Sequence, residues 1–351
     1  MTGVTLRLDG ARWREHLHTV RGATPGLVPV VKGNGYGYGL ARLAEESAAL
    51  GADTIAVGTA REVDAVRDIF GGDIVVMTPW RQADEVAVGL AMDPRVITTV
   101  SRRSDLEELA ASGARPRVLV EVLTSMRRHG VPADELSRLA PLLQQVDFQG
   151  WTIHLPILAE GRYAQAERLS RAALAAAAGP LWLSHLPADE AASLARQLGG
   201  ADGDPVPMRL RLGTWLWLGD ESTRRTTATV LDVHAVSRGE RAGYRQRVVP
   251  ADGWIVVVSG GTSHGIGMEA PTPAVSLRQR AISVATGSLE AAGLALSPYT
   301  IAGRKRWFLE PPHMQSSLLF LPRKHTPPLI GDEVPVELRL TTATVDHILT
   351  D

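Results

Sequence analysis

Short apolar runs alternate with amphipathic stretches over the first two thirds of the chain. The runs are LVPVVKGN (27–34), TIAVGTA (54–60), DIVVMTP (73–79), RVITTV (95–100), RVLVEVLT (117–124), DFQGWTIHLP (147–156), GPLWLSHL (179–186) and MRLRLGTWLW (208–217). Between them lie RLAEESAALG, REVDAVRDIF, SDLEELAASG, ADELSRLAPLLQQ, RYAQAERLSRAALAAAA and DEAASLARQLG, in which leucine and alanine recur three and four residues apart, the helical period. Eight apolar runs alternating with such amphipathic stretches predict an α/β fold, a closed (β/α)8 TIM-type barrel whose chemistry sits on the loops after the strand C-termini. Trp215 and Trp217 read as packing the eighth strand on both faces.

After residue 220 the pattern changes. TATVLDVHAVSRGERAGY, GWIVVVSGG, SPYTIAGRKRWFLE, MQSSLLFLP and DEVPVELRLTTATV are β-rich, broken by Gly and Pro turns and almost free of helical period. The chain therefore divides into a barrel domain, 1–222, and a C-terminal all-β domain, 223–351. The opening VTLRLDG also reads as a strand and could join either.

Composition narrows the function. With 351 residues, 44% of them hydrophobic, the chain buries a sizeable core. Its formal net charge of -1, from 37 basic and 38 acidic residues spread along the sequence, offers no basic face to nucleic acid or anionic lipid. Small molecules are the expected partners. The absence of cysteine rules out a disulfide framework, and the start MTGVTLRLDGARW lacks the apolar centre of a signal peptide. No apolar run is long enough to span a bilayer, so the expectation is a cytoplasmic protein. The ten histidines show no paired-ligand spacing, and GIGMEAP forms no nucleotide-binding signature, so no metal or dinucleotide site is expected.

One motif carries distinct chemistry. VVKGNGYGYG (30–39) places Lys32 at the end of the first barrel strand, before a loop rich in glycine. A desolvated lysine there loses its proton more easily and can form a Schiff base with an aldehyde. Gly33, Gly35 and Gly37 let the backbone crowd a ligand, and Tyr36 can offer a hydroxyl. A lysine that merely ends a strand beside a glycine turn is an equal reading of this motif alone.

The barrel, the β domain after it and this loop together resemble the alanine racemase family over essentially the whole chain. The resemblance implies pyridoxal phosphate (PLP) as cofactor, with Lys32 as its covalent carrier and Tyr36 at its phosphate. EVLTSMRRHGV (121–131) puts Arg128 on the family's arginine, which serves the cofactor's phenolic oxygen and the substrate carboxylate; the planar guanidinium fork suits that task. Glu121 stands where the family often has an anionic modified lysine beside that arginine. By the same resemblance Arg211 donates to the pyridine nitrogen, His154 orients Arg211, and Gly213 and Thr214 offer N–H groups to phosphate. An arginine leaves that nitrogen unprotonated, which favours simple proton exchange over other PLP chemistry.

In the β domain, RAGYRQ places Tyr244 on the family's second base, which comes from the partner subunit, so a homodimer with shared active sites is implied. Met314 in EPPHMQSS matches the methionine whose N–H meets the substrate carboxylate. Taken without the family, Arg127 and Arg128 read as a solvated pair, His154 as a structural histidine and Tyr244 as a turn tyrosine packed between strands. Several positions depart from the family pattern: Leu123, Ser125, Thr262, Gln315, Ala188 and Asp189 after the seventh strand, and Val345. Asp189 either faces the phosphate or turns away and caps the next helix. The implied function is an amino-acid racemase, most simply of alanine, with Lys32 and Tyr244 as opposed bases. The alternative is a catalytically altered or non-catalytic paralogue that acts as a binding or scaffold protein.

Overall fold

Fully buried parallel strands are short and continuously apolar because both faces are covered, and the first two thirds of the chain folds on that rule. The computed structural model describes residues 2–157, 160–199, 203–268 and 295–351. It forms two compact units, one of Arg14–Gly219 and one of Met1–Trp13 with Asp220–Asp351. GIGMEAP (265–271) lies partly outside the described residues.

Strand β1 (Val4–Leu8) and helix α1 (Gly10–Ala23) come first. The barrel strands follow: β2 (Leu27–Pro29), β3 (Thr54–Val57), β4 (Asp73–Val76), β5 (Val96–Val100), β6 (Arg117–Val122), β7 (Asp147–His154), β8 (Leu181–Ser184) and β9 (Met208–Leu212). All pair in parallel in the order β2-β9-β8-β7-β6-β5-β4-β3. A bridge between Val30 and Ala56, with Val31 N–H donating to the Ala56 carbonyl at 2.7 Å, joins the two ends. The predicted eight-stranded barrel is thus the observed one. Val28, Val30, Val75, Ile97, Leu119 and Trp182 pack its interior, as small barrels require.

Between the strands run α2 (Leu40–Ala49), α3 (Glu85–Leu90), α4 (Arg103–Ala111), α5 (Ala140–Leu143), α6 (Arg162–Ala176), α7 (Ala188–Gln197) and α8 (Thr214–Leu218). Three expectations fail locally. REVDAVRDIF (61–70) is a 3-10 turn, Ala60–Glu62, followed by further turns, although Val63, Val66 and Phe70 are buried as a helical face would be. Its β-branched residues are poor helix formers, and Gly71 and Gly72 end it. ADELSRLAPLLQQ is 3-10 over Ala133–Leu139 before α5, because Pro141 lacks the N–H that a continuous α-helix needs there. The eighth strand stops at Leu212, and the two tryptophans sit on α8: Trp217 is buried and donates from Nε1 to the Val30 carbonyl at 2.8 Å, while Trp215 is exposed.

The other unit is built on β10 (Arg224–Val236), a long strand that pairs antiparallel with β1. The two-residue strands β11 (Arg241–Ala242) and β12 (Arg247–Val248) form a separate ribbon. β13 (Gly253–Ser259), β14 (Leu296–Ile301), β15 (Arg304–Phe308), β16 (Ser316–Pro322), β17 (Glu333–Pro335) and β18 (His347–Thr350) complete it. The sheet order is β14-β15-β16-β13-β10-β1-β18, with β17 also on β10 and only β1–β18 parallel. The VTLRL strand therefore belongs to the β sheet. Alternation along β13 and β16 buries Val256, Val258, Leu319 and Leu321 around Tyr299. Among the described residues no helix is long and apolar enough to cross a membrane.

Candidate active site

Lys32 follows β2 at the C-terminal mouth of the barrel. The loop after it is left-handed almost throughout: Gly33, Gly35, Gly37 and Gly39 all have positive φ, and Tyr36 adopts φ 54°. A Cβ at Gly35 would stand 2.8 Å from the Leu40 amide nitrogen, so this turn needs glycine there. Of the six non-glycine residues with this costly backbone among the described ones, three, Tyr36, Arg127 (φ 50°) and His185 (φ 62°), lie on loops after barrel strands. Such strain persists where the surroundings over-determine it, and it clusters at functional sites.

Electrostatics single out the same mouth. The Lys32 amine, on a side chain that is exposed in the single chain, is held below its ordinary value, first by partial desolvation at the strand ends, then by Arg128 and Arg211, against the pull of Glu62. Burial pushes His154 down to about 3, helped by Arg211, Arg128, His185 and Lys32, so it is neutral at physiological pH. Its ring meets that of His185 edge-on, centroids 5.0 Å apart. Arg211, only 7% exposed, is lowered to about 10 by burial despite Glu121 nearby. Tyr36 is buried, and its hydroxyl is raised to about 12 by burial and by Glu62. Its oxygen lies 2.1 Å from where a Cβ at Gly213 would be, so the absence of a side chain at 213 admits the phenol.

Arg128 sits on the loop 123–131, which is clamped by Leu123 N–H to the Val131 carbonyl (2.9 Å) and Val131 N–H to the Glu121 carbonyl (2.8 Å). Its Nη2 is 4.0 Å from Oε1 of buried Glu121. Burial raises the Glu121 carboxyl, opposed by Arg211, Arg128 and Arg81. Two features of this mouth escaped the sequence reading. Glu62 accepts from the amides of Gly33 (2.9 Å), Gly58 (2.6 Å) and Thr59 (3.3 Å), tying the Lys32 loop to the next strand end. The T-x-x-E spacing of Thr59 and Glu62 was the available signal. His185 could have been found as a strand-end histidine in LSHLP.

Lys32, Tyr36, Arg128, His154, Arg211, Gly213 and Thr214 thus gather on the barrel unit, with Gly213 and exposed Thr214 opening α8. Tyr244 and Met314 belong to the other unit. Tyr244 is 86% exposed in the turn between β11 and β12, so it is not packed between strands. Asp189 is exposed at the second position of α7; Pro187 holds the cap position and no side chain caps that helix, so the capping role is excluded. Val345 packs on the core of the β unit.

A family model described as the alanine racemase N-terminal domain matches residues 8–195, more than half of the 351 residues. The chain belongs to the alanine racemase family. Relatives include an alanine racemase of Nitratidesulfovibrio vulgaris (strain Miyazaki F), 30% identical over 143 residues, 39% of this chain and 37% of that protein. Another, from Mycolicibacterium smegmatis, is 29% identical over 128 residues, 35% of this chain and 32% of that one. The chain therefore matches about a third of the length of these relatives. Solved alanine racemases share the fold across both units. That of E. faecalis gives a TM-score of 0.69 at 19% identity, covering 95% of this chain and 88% of that one. That of Bartonella henselae, a structure with covalently bound pyridoxal phosphate, gives 0.70 at 16%, covering 97% and 94%.

The fit of PLP can be judged on Arg211. Its Nε and Nη2 are buried and make no hydrogen bond among the described residues. Buried donors without acceptors are costly, and a pyridine nitrogen is a suitable acceptor. The basic side chains Lys32, Arg128 and Arg211 likewise suit an anionic ligand. Lys32, Arg128 and Arg211 fit the cofactor.

Proposed function

We propose that the protein is a PLP-dependent amino-acid racemase, acting most simply on alanine as a homodimer with shared sites. The observation that carries this reading is the Lys32 amine, depressed by partial desolvation, Arg128 and Arg211 at the mouth of a barrel of this family. When bound, PLP supplies an electron sink that acidifies the substrate α C–H. Lys32 carries the cofactor and, in turn, takes or returns the α proton on one face. A depressed amine suits both tasks, since it is neutral at lower pH than an ordinary lysine.

Arg211 donates to the ring nitrogen and, because a guanidinium hardly ever releases its proton, leaves that nitrogen unprotonated. Neutral His154 adds no competing charge beside it. Tyr36, Gly213 and Thr214 hold the phosphate. Arg128 grips the substrate carboxylate, steadied by Glu121 in place of a modified lysine. Tyr244 and the Met314 N–H come from a second copy, Tyr244 handling the α proton on the opposite face.

Borohydride reduction tests the central assignment. The protein incubated with PLP should be yellow, lose its visible band on reduction, and carry the pyridoxyl group on the Lys32 tryptic peptide. An adduct elsewhere would overturn the assignment of Lys32, and none with excess PLP would overturn the cofactor itself.

A further inference from the structure

The β unit contains a carboxylate whose donors converge from one place. Glu310, just beyond β15, is 3% exposed. Its Oε1 accepts from His313 Nε2 at 2.6 Å and from the Tyr244 amide at 3.2 Å, and its Oε2 accepts from the Arg245 amide at 3.2 Å. The carboxylate lies directly against Gly243: a Cβ there, at φ +75°, would come within 2.2–2.4 Å of its atoms. The His313 ring in turn faces the Tyr244 ring, centroids 4.6 Å apart and tilted by 48°.

The support beneath is also fastened. The His313 carbonyl accepts from Thr262 N–H at 2.9 Å, the Met314 carbonyl accepts from Ser263 N–H at 3.0 Å, and His313 N–H donates to the Ser316 carbonyl at 2.9 Å. Burial works against the Glu310 charge, yet His313 and the amides of Arg245 and Tyr244 hold its carboxyl below the ordinary value. A buried carboxylate is tolerated only with such donors, and among the described residues its hydrogen bonds lead to the Tyr244 turn and to His313. An 86% exposed tyrosine would otherwise sample several rotamers.

We propose that Glu310 and His313 are a positioning pair for Tyr244: the carboxylate fixes the tyrosine's backbone turn and the histidine, and the histidine ring fixes the phenol. The inference rests on the reading of Tyr244 as the second base. Neither Glu310 nor His313 touches the substrate; they set where the phenol stands, and a small misplacement of an acid/base group is costly in rate.

Two readouts test it. With 3-fluorotyrosine incorporated, the resonance of residue 244 is assigned by its loss in Tyr244→Phe. His313→Ala should move that fluorine signal toward the free amino acid, and His313→Phe, which restores a ring, should bring it back toward the native position. In deuterated water with PLP and alanine, His313→Ala should lower kcat for α-proton exchange of the Tyr244-dependent enantiomer by about 10–100-fold. KM should stay within about twofold and exchange of the other enantiomer should remain native. An unmoved fluorine signal, or equal loss for both enantiomers, overturns the pairing. If Tyr244→Phe itself leaves both exchange rates native, the two-base reading fails instead, while the fluorine signal still decides whether the pair orders the ring.

Discussion

At the scale of single residues, the barrel mouth is a set of charges that burial makes uncomfortable and neighbours make tolerable. Glu121 illustrates the balance. Burial raises its carboxyl above the ordinary value, with Arg211, Arg128 and Arg81 only partly opposing. The folded protein therefore keeps this proton to higher pH than the unfolded chain does. The group's favourable contribution is complete below the unfolded-chain value and is lost as pH rises through the folded one. Glu121→Gln keeps the volume and removes the charge, so the cofactor-free variant should be more stable than its parent at pH 8. That advantage should vanish as pH falls toward 4, as read by urea unfolding at each pH. A parent more stable at pH 8 would mean that Arg211 and Arg128 outweigh the burial cost.

At the scale of elements, site geometry depends on turns that a side chain would spoil. Gly130 closes the 123–131 loop at φ +125°, and a Cβ there would lie 2.4 Å from the Leu123 amide nitrogen and 2.6 Å from its Cα. Backbone cannot yield as a flexible side-chain end does. Gly130→Ala should cost about 3 kcal/mol, from strain and overpacking together, and raise KM through a displaced Arg128. Denaturant midpoints and substrate titration check this; a loss under about 0.5 kcal/mol, within the range of ordinary surface changes, would show that the loop relaxes freely. The same scale explains the misread segments. REVDAVRDIF has the helical period yet folds into turns, because period reports which residues are buried and not whether β-branched residues before a Gly pair propagate a helix.

At the scale of the whole molecule, the proposed function takes Lys32 from one chain and Tyr244 from a second, as the family resemblance implies, so that the two bases stand on opposite faces of one carbon. Lys32→Ala and Tyr244→Phe should each abolish racemisation. Mixed after subunit exchange, they should regain about a quarter of native activity: half of the dimers are then mixed, and each holds one intact composite site of two. Mixtures that stay inactive, while both variants remain folded and exchange subunits, would mean that the site is not shared between chains.

The sequence by itself made the barrel legible, because parallel strands buried on both faces leave continuous apolar runs, and eight such runs are the count of a closed barrel. It also placed Lys32 at a strand end and, through motif resemblance, marked Arg128, His154 and Arg211, since strand-end position is a local property. What it could not determine is which groups meet across the chain. Glu62 reaching Gly33, Tyr36 filling the space that Gly213 leaves, and Glu310 collecting His313 and the Tyr244 turn are contacts between segments far apart in order. Nor could it show that Asp189 leaves the cap position to Pro187. Periodicity records burial along one element, whereas distances between elements, and the charge shifts that follow from them, exist only once the tertiary structure has closed.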